Sequence, residues 1–221
     1  MEFSPKHCQF KHPFTAIVAG PTGSGKTVLV RQILSEHETT IANTQDISVL
    51  WLYGQWQSLY QKSVDNVKIK YVEGLPDVTD IKQGNHTIVV IDDLMSELSG
   101  NKALTNLFTK GSHHLNLSVI FIVQNMFHHG KEMRTISLNT NYYLLLKNPR
   151  DRLQIEHLAR QMFPGTKSFI RDAYKDATNK PYGYLIIDCK SDTPEELRVR
   201  TRILCTEHLK GLFRPFIYTS K

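Results

Sequence analysis

The chain has 221 residues, 40% of them hydrophobic and 22% charged, which suits one domain large enough to bury its own core and excludes a disordered or fibrous protein. It holds no apolar run of about 18 residues, so no membrane span is expected, and its opening Met1-Glu2-Phe3-Ser4-Pro5-Lys6 lacks the apolar stretch of an export signal, so the protein is expected to be intracellular and not secreted. The net charge of +6 is uneven: residues 1–146 hold 12 basic and 12 acidic side chains, whereas residues 147–221 hold 15 and 9, a surplus that suits a polyanionic partner but also describes an ordinary solvated face.

Residues 1–13 read as a flexible start. Phe14-Thr15-Ala16-Ile17-Val18-Ala19 is a β-type run that ends in a glycine-rich loop, and residues 26–36 place Val28, Leu29, Ile33 and Leu34 on one helical face. Residues 47–53 and 67–72 read as strands. Thr87-Ile88-Val89-Val90-Ile91 is almost wholly β-branched and apolar, the pattern of a strand buried on both faces of a parallel sheet. A helix is expected over 101–109, a buried strand over 118–123 and another over 142–146, stopped by Asn148-Pro149. Helices over 150–163, ended by Pro164-Gly165, and over 166–177 precede late strands at 182–188 and 199–204. Strands alternating with helices imply an α/β fold: a mainly parallel central sheet with helices on both faces. No repeat or linker divides it, so residues 1–221 are read as one domain, with 190–221 as a basic C-terminal strand and tail region.

Gly20-Pro21-Thr22-Gly23-Ser24-Gly25-Lys26-Thr27 matches G-x-x-x-x-G-K-[ST] in full, with a strand before it and a helix after it, the setting that this motif requires. The glycines let consecutive N–H groups turn inward as an anion nest, and the following helix aims its positive end at the same place. Lys26 adds a point charge for the β- and γ-phosphates of a nucleotide, and Thr27 offers a hydroxyl to Mg²⁺. Such a loop needs a carboxylate at the end of another buried strand. Asp92 supplies it, as the metal-side acid acting through water, and Asp93 stands where a second acid orients or deprotonates an attacking water. The next buried strand, Ser118-Val119-Ile120-Phe121-Ile122-Val123, ends in Gln124-Asn125, and an amide there faces the crevice where open α/β sheets bind ligands. Gln124 is placed to hydrogen-bond both the water and the γ-phosphate.

Together these residues resemble a family. The loop GPTGSGKT, the acidic strand TIVVIDDLM and the strand SVIFIVQN are similar to the FtsK/HerA superfamily of DNA-pumping ATPases. The stretches FTKGSHHLNLSVIFIVQNMFHHGKEMRTISLNTNYYLLLKNPRD and DAYKDATNKPYGYLIID resemble more narrowly the genome-packaging ATPases of Polinton/Maverick-type elements, adintoviruses and related double-stranded DNA viruses, with poxvirus packaging ATPases further off. The resemblance implies a three-layer RecA-like P-loop NTPase of the ASCE type, with an extra strand between the loop strand and the acidic strand. It implies ATP and Mg²⁺ as cofactors, a hexameric or pentameric ring of this chain with ATP at the interfaces, double-stranded DNA as a sequence-independent substrate, and partners at the capsid or portal vertex, in an infected cell or a virion. Lys26 and Thr27 then correspond to the Walker A lysine and hydroxyl, Asp92 to the Walker B aspartate and Gln124 to the polar sensor, while Asp93 stands where many members carry Glu, one methylene longer. Near relatives tend to carry an arginine finger in their version of Lys110-Gly111-Ser112-His113-His114-Leu115-Asn116; here Leu115 occupies that slot. Lys110, Arg134, Arg150 and Arg152 are the alternative cations, and Arg134, close behind the sensor strand, ranks first among the arginines.

Other features carry less. His113-His114 and His128-His129 lack a third ligand at metal spacing and read as loop residues. Cys8, Cys189 and Cys205 cannot all pair and show no metal spacing, as in a reducing compartment, and Cys8 reads as a free thiol in a mobile start. Trp51 and Trp56 read as packing residues. Arg198, Arg200 and Arg202 alternate along a strand pattern, a row that would either touch DNA phosphates or protect a sheet edge. Two other functions fit the same motifs: a P-loop helicase or recombination ATPase on single strands, and a nucleotide-dependent switch with little turnover.

Overall fold

The computed structural model describes residues 4–44, 46–76, 81, 86–95, 102–111, 115–126, 131–208 and 214–220. Its strands in chain order are β1 (Phe10–Lys11), β2 (Thr15–Ala19), β3 (Ile41–Ala42), β4 (Ser48–Tyr53), β5 (Lys68–Glu73), β6 (Thr87–Asp92), β7 (Leu117–Val123), β8 (Tyr142–Leu146), β9 (Tyr184–Asp188), β10 (Val199–Thr201) and β11 (Phe216–Tyr218). The principal α-helices are α1 (Lys26–Ser35), α2 (Lys102–Asn106), which runs on into a π-helical turn at Leu107–Gly111, α3 (Lys131–Leu138), α4 (Leu153–Met162) and α5 (Lys167–Ala177). None is long and apolar enough to cross a membrane among the described residues.

Nine of these strands form one sheet in the order β11-β10-β9-β8-β2-β7-β6-β4-β5. The six from β8 to β5 run parallel to one another, as the apolar runs of β2, β6 and β7 predict, with the half-exposed β5 at the edge. Strands β9, β10 and β11 complete the sheet in antiparallel pairings. The β7 strand, whose end bears Gln124, lies between β2 and β6. That is the extra strand the resemblance called for.

Strand side chains alternate between faces, and each face has its own core. Val89 and Ile91 of β6 join a cluster with Leu104, Phe108, Met133, Leu158 and Ile170 from the helices on one side. Ile88 and Val90 join Leu29, Val30, Ile33 and Leu34 of α1 on the other. Both clusters are buried, and each fully buried aliphatic side chain contributes about 1.5–3 kcal/mol of transfer free energy. The result is a three-layer α/β/α domain.

Three expectations are corrected by packing. The opening stretch, expected to be flexible, is described from Ser4: Pro5–Cys8 forms a 3₁₀ turn, Cys8 and Phe10 are buried, and Phe10 lies edge-on to Tyr142 with centroids 4.8 Å apart. Phe10–Lys11 pairs in parallel with Ile41–Ala42. Helix α3 occupies a segment for which no element was expected. The arginine row is not a surface for DNA. Arg200 is fully buried, donating through one Nη to Asp188 Oδ2 at 2.9 Å and to the Leu197 carbonyl at 2.7 Å. Arg198 is half-buried against Glu195 and the carbonyls of Asp188 and Lys190. Arg202 lies beyond the strand, exposed and with φ of 53°. Nor is β10 an edge, because β11 pairs along it.

Candidate active site

The loop 20–27 begins where β2 ends. Gly20 N–H donates to the Val123 carbonyl at 3.3 Å, tying the loop to the end of β7, and Ser24 N–H donates to the Pro21 carbonyl at 3.2 Å, closing a tight turn. Gly25 caps α1 at φ 95°, a left-handed conformation that glycine adopts without a Cβ clash. The first turn of α1 carries no acidic side chain, so its free N–H groups face the loop without a competing charge. Lys26 folds over this turn, its Nζ donating to the carbonyls of Gly20 at 2.6 Å and Pro21 at 2.9 Å. Burial lowers the Lys26 pKa, while the nearby charges of Asp92 and Asp93 pull it back up. The ammonium thus sits in a half-dry cleft shared with both acids.

The second half of the site comes from β6, which delivers its last residue to the helix start. Thr27 Oγ1 donates to Asp92 Oδ2 at 3.1 Å, joining residues 65 positions apart. Asp92 is buried, and Tyr60 Oη donates to the same oxygen at 2.9 Å. Burial raises the Asp92 pKa, and the two hydroxyl donors act the other way by stabilising the carboxylate. Burial and the adjacent Asp92 charge both push the Tyr60 phenol above its usual range, so it remains a donor. Tyr60 is held by rings: stacked on Tyr71 with centroids 5.1 Å apart, edge-on to Trp56 at 5.5 Å and tilted against Trp51 at 5.7 Å. Trp51 is fully buried, as a packing role requires, and Trp56 packs on this cluster while remaining half exposed.

Asp93 turns out of the strand. Its φ of 58° is in the left-handed region, tolerated by Asp better than by most residues, and its side chain is exposed at the cleft. Gly54 lies against this turn, and a Cβ there would clash with the Asp93 carbonyl oxygen. Gln124 follows β7 directly and is exposed between the β2 loop and the end of β6.

Of the residues named from sequence, the structure therefore gathers Gly20, Pro21, Thr22, Gly23, Ser24, Gly25, Lys26, Thr27, Asp92, Asp93 and Gln124 at the carboxyl ends of three adjacent parallel strands. Arg134 lies exposed on α3, and among the described residues no hydrogen bond or ion pair joins it to the loop. Arg150 and Arg152 are exposed ahead of α4, and Leu115 is half-buried against the core. The side chain of Lys110 and the residues His113, His114, His128 and His129 lie outside the described residues. Tyr60 and Gly54 were not found from sequence. The dense aromatics at 51–60 were the available signal, but a hydrogen bond across 32 residues leaves no local pattern.

No family model matches the chain, and no curated protein matches it. Solved structures do. The genome packaging NTPase B204 from Sulfolobus turreted icosahedral virus 2, in complex with AMPPCP, superposes with a TM-score of 0.57 at 14% identity over 86% of this chain and 97% of that one. Its complex with ATP-gammaS gives 0.51 at 15% identity over 90% and 98%. The DNA-packaging ATPase B204 from Sulfolobus Turreted Icosahedral Virus gives 0.53 at 13% identity over 80% and 93%. At these identities the likeness is one of fold, and it extends along almost the whole of those chains.

Proposed function

We propose that this chain is a P-loop ATPase of the FtsK/HerA superfamily that moves double-stranded DNA during viral genome packaging. The observation that carries the ATPase part is the Thr27–Asp92 hydrogen bond, which brings the loop hydroxyl and the strand-end carboxylate together beside Lys26. The DNA and packaging part is supported by the fold shared with B204 proteins, described as packaging NTPases and crystallised with ATP analogues, and by the sequence resemblance.

In this reading the loop N–H groups and the α1 terminus hold the phosphates, and Lys26 leaves the Gly20 and Pro21 carbonyls to pair with the β- and γ-phosphates. The Thr27 hydroxyl and the Asp92 carboxylate, two hard oxygen donors 3.1 Å apart, fit Mg²⁺, with Asp92 acting through water. When bound, the metal neutralises charge on the β- and γ-oxygens. Gln124 and Asp93 flank the cleft mouth: the amide orients the attacking water, and the carboxylate accepts its proton. A ring of subunits would bring a cation from the neighbour to the γ-phosphate, a role for which Arg134, exposed on α3, is the candidate. Capsid or portal proteins would receive the DNA.

The test is ATP hydrolysis with and without duplex DNA, alongside solution mass. Duplex DNA should raise turnover several-fold and the active species should be a ring; a stronger response to single strands would favour a helicase, and nucleotide binding without turnover in the assembled state a switch. A narrower prediction concerns Tyr60. Its hydrogen bond favours ionised Asp92, so Tyr60→Phe should raise the Asp92 pKa further, and the carboxylate form would be reached only at higher pH. The acidic limb of the pH–rate profile should then move to higher pH by about one unit or more, the loss of about 1.5–3 kcal/mol of hydrogen bonding to a charged group. An unchanged limb would remove Tyr60 from the site.

A further inference from the structure

The residues at the end of β7 change burial twice in four positions. Val123 and Met126 are buried, whereas Gln124 and Asn125 between them are exposed, so the amide assigned to the attacking water stands on a two-residue corner. Each end of that corner is tied to a different element. On the β7 side the Val123 carbonyl accepts the Gly20 N–H at 3.3 Å, which fixes it to the phosphate loop. On the far side the Met126 N–H donates to Gln154 Oε1 at 3.2 Å, across 28 residues of sequence.

Gln154 is an unusual residue for its place. It belongs to the first turn of α4 and is only 7% exposed, next to Ile155, which with Leu158 and Met126 belongs to the apolar core. A buried primary amide is costly unless both its ends are bonded. Here both are, because Oε1 accepts from Met126 while Nε2 donates to Asp151 Oδ2 at 2.6 Å. Asp151 is held in turn, its own N–H donating to Asn148 Oδ1 at 3.3 Å. Packing alone would be served by an aliphatic side chain of similar volume. What glutamine adds is chemical: a backbone N–H needs an acceptor, a carboxylate needs a donor, and an uncharged amide supplies one of each.

We propose that Gln154, braced by Asp151, is a positioning residue for ATP hydrolysis: by holding the Met126 N–H it fixes the corner that aims Gln124 at the attacking water. The inference rests on the reading of residues 20–27 as the triphosphate site and of Gln124 as the group that orients the water. Gln154 acts only through the backbone of Met126. A group that aims a nucleophile must be held to within about 0.5 Å, so a corner tied at one end and loose at the other loses rate rather than affinity.

Gln154→Leu should lower turnover about tenfold or more, while calorimetry finds the affinity for Mg·ATP within about twofold of the parent. In a Gln124→Ala background the same substitution should cost less than about twofold further, because the brace works through that amide alone. A purely structural role would instead weaken binding and turnover together and would add in full to Gln124→Ala. An exchange of chemistry keeps the answer clear of any folding defect in Gln154→Leu. Gln154→Glu alone sets two carboxylates face to face and should lower turnover; combined with Asp151→Asn, which returns a donor to the pair, it should recover to within about threefold of the parent. Parent-like turnover in Gln154→Leu, no recovery in the exchanged pair, or full additivity with Gln124→Ala would each overturn the brace. A parent chain that binds no Mg·ATP, or a Gln124→Ala variant as fast as the parent, sinks the underlying reading and the brace with it, and is told apart because neither result involves Gln154.

Discussion

Replacing Lys26 by Ala is expected to lower ATP turnover by at least about 100-fold, the loss that follows removal of a preorganised charge from the reacting group. The ammonium sits in a cleft dry enough to lower its pKa, so its field is weakly screened, and two carboxylates nearby leave the site short of positive charge without it. Its present hydrogen bonds go to loop carbonyls that water can serve, so Tm should change little. Gln124→Ala provides the contrast. Gln124 is exposed at the end of β7, outside the loop, and its replacement should spare nucleotide binding while turnover falls. Calorimetry with ATP alongside rate measurements separates the two. Equal loss of binding in both variants would contradict the assigned roles.

Arg200→Met is the substitution expected to cost most in stability, about 3–5 kcal/mol. Arg200 is fully buried, Asp188 is 2% exposed, and the two are joined at 2.9 Å. Removing the cation leaves a carboxylate whose described partners are weaker, chiefly the Lys190 N–H at 3.0 Å. The guanidinium also lies 5.8 Å from the Tyr142 ring centroid, and its attraction to that ring disappears in the variant. For a chain of this size the drop in Tm should be about 10 °C. Adding Asp188→Leu should recover much of it, because an apolar pair of similar volume often replaces a buried ion pair without loss. A double variant no more stable than Arg200→Met would show that the pair is not the cause.

The parts of this molecule legible in its sequence are those encoded over a few neighbouring residues. Ile88-Val89-Val90-Ile91 announces a doubly covered strand because every position is apolar, and the loop 20–27 announces itself because its backbone needs glycine at fixed offsets. The two expected strands around it follow the same logic. Gln124 can be placed at the cleft because it ends such a strand. What failed were inferences that depend on a distant partner. Arg198, Arg200 and Arg202 alternate as an exposed row would, but Asp188 at the end of β9 and the added strand β11 bury the middle one. Phe10 reads as part of a loose start because its partners, Ile41 and Tyr142, lie 31 and 132 residues away. Tyr60 and Gly54 reach the site through Asp92 and Asp93 from the segment that follows β4, where the sequence points only to packing residues. Periodicity records which way a side chain points and leaves open what it meets.

The loop strand β2, near the start of the chain, is flanked in the sheet by β7 and β8, which come more than a hundred residues later. During synthesis it therefore emerges from the ribosome long before either neighbour exists. At about 5–20 residues per second, its apolar run waits several seconds unpaired. One of its hydrogen-bonding edges stays open until residue 123 has been made and the other until residue 146, and they are then taken by strands of the same chain rather than by another nascent copy.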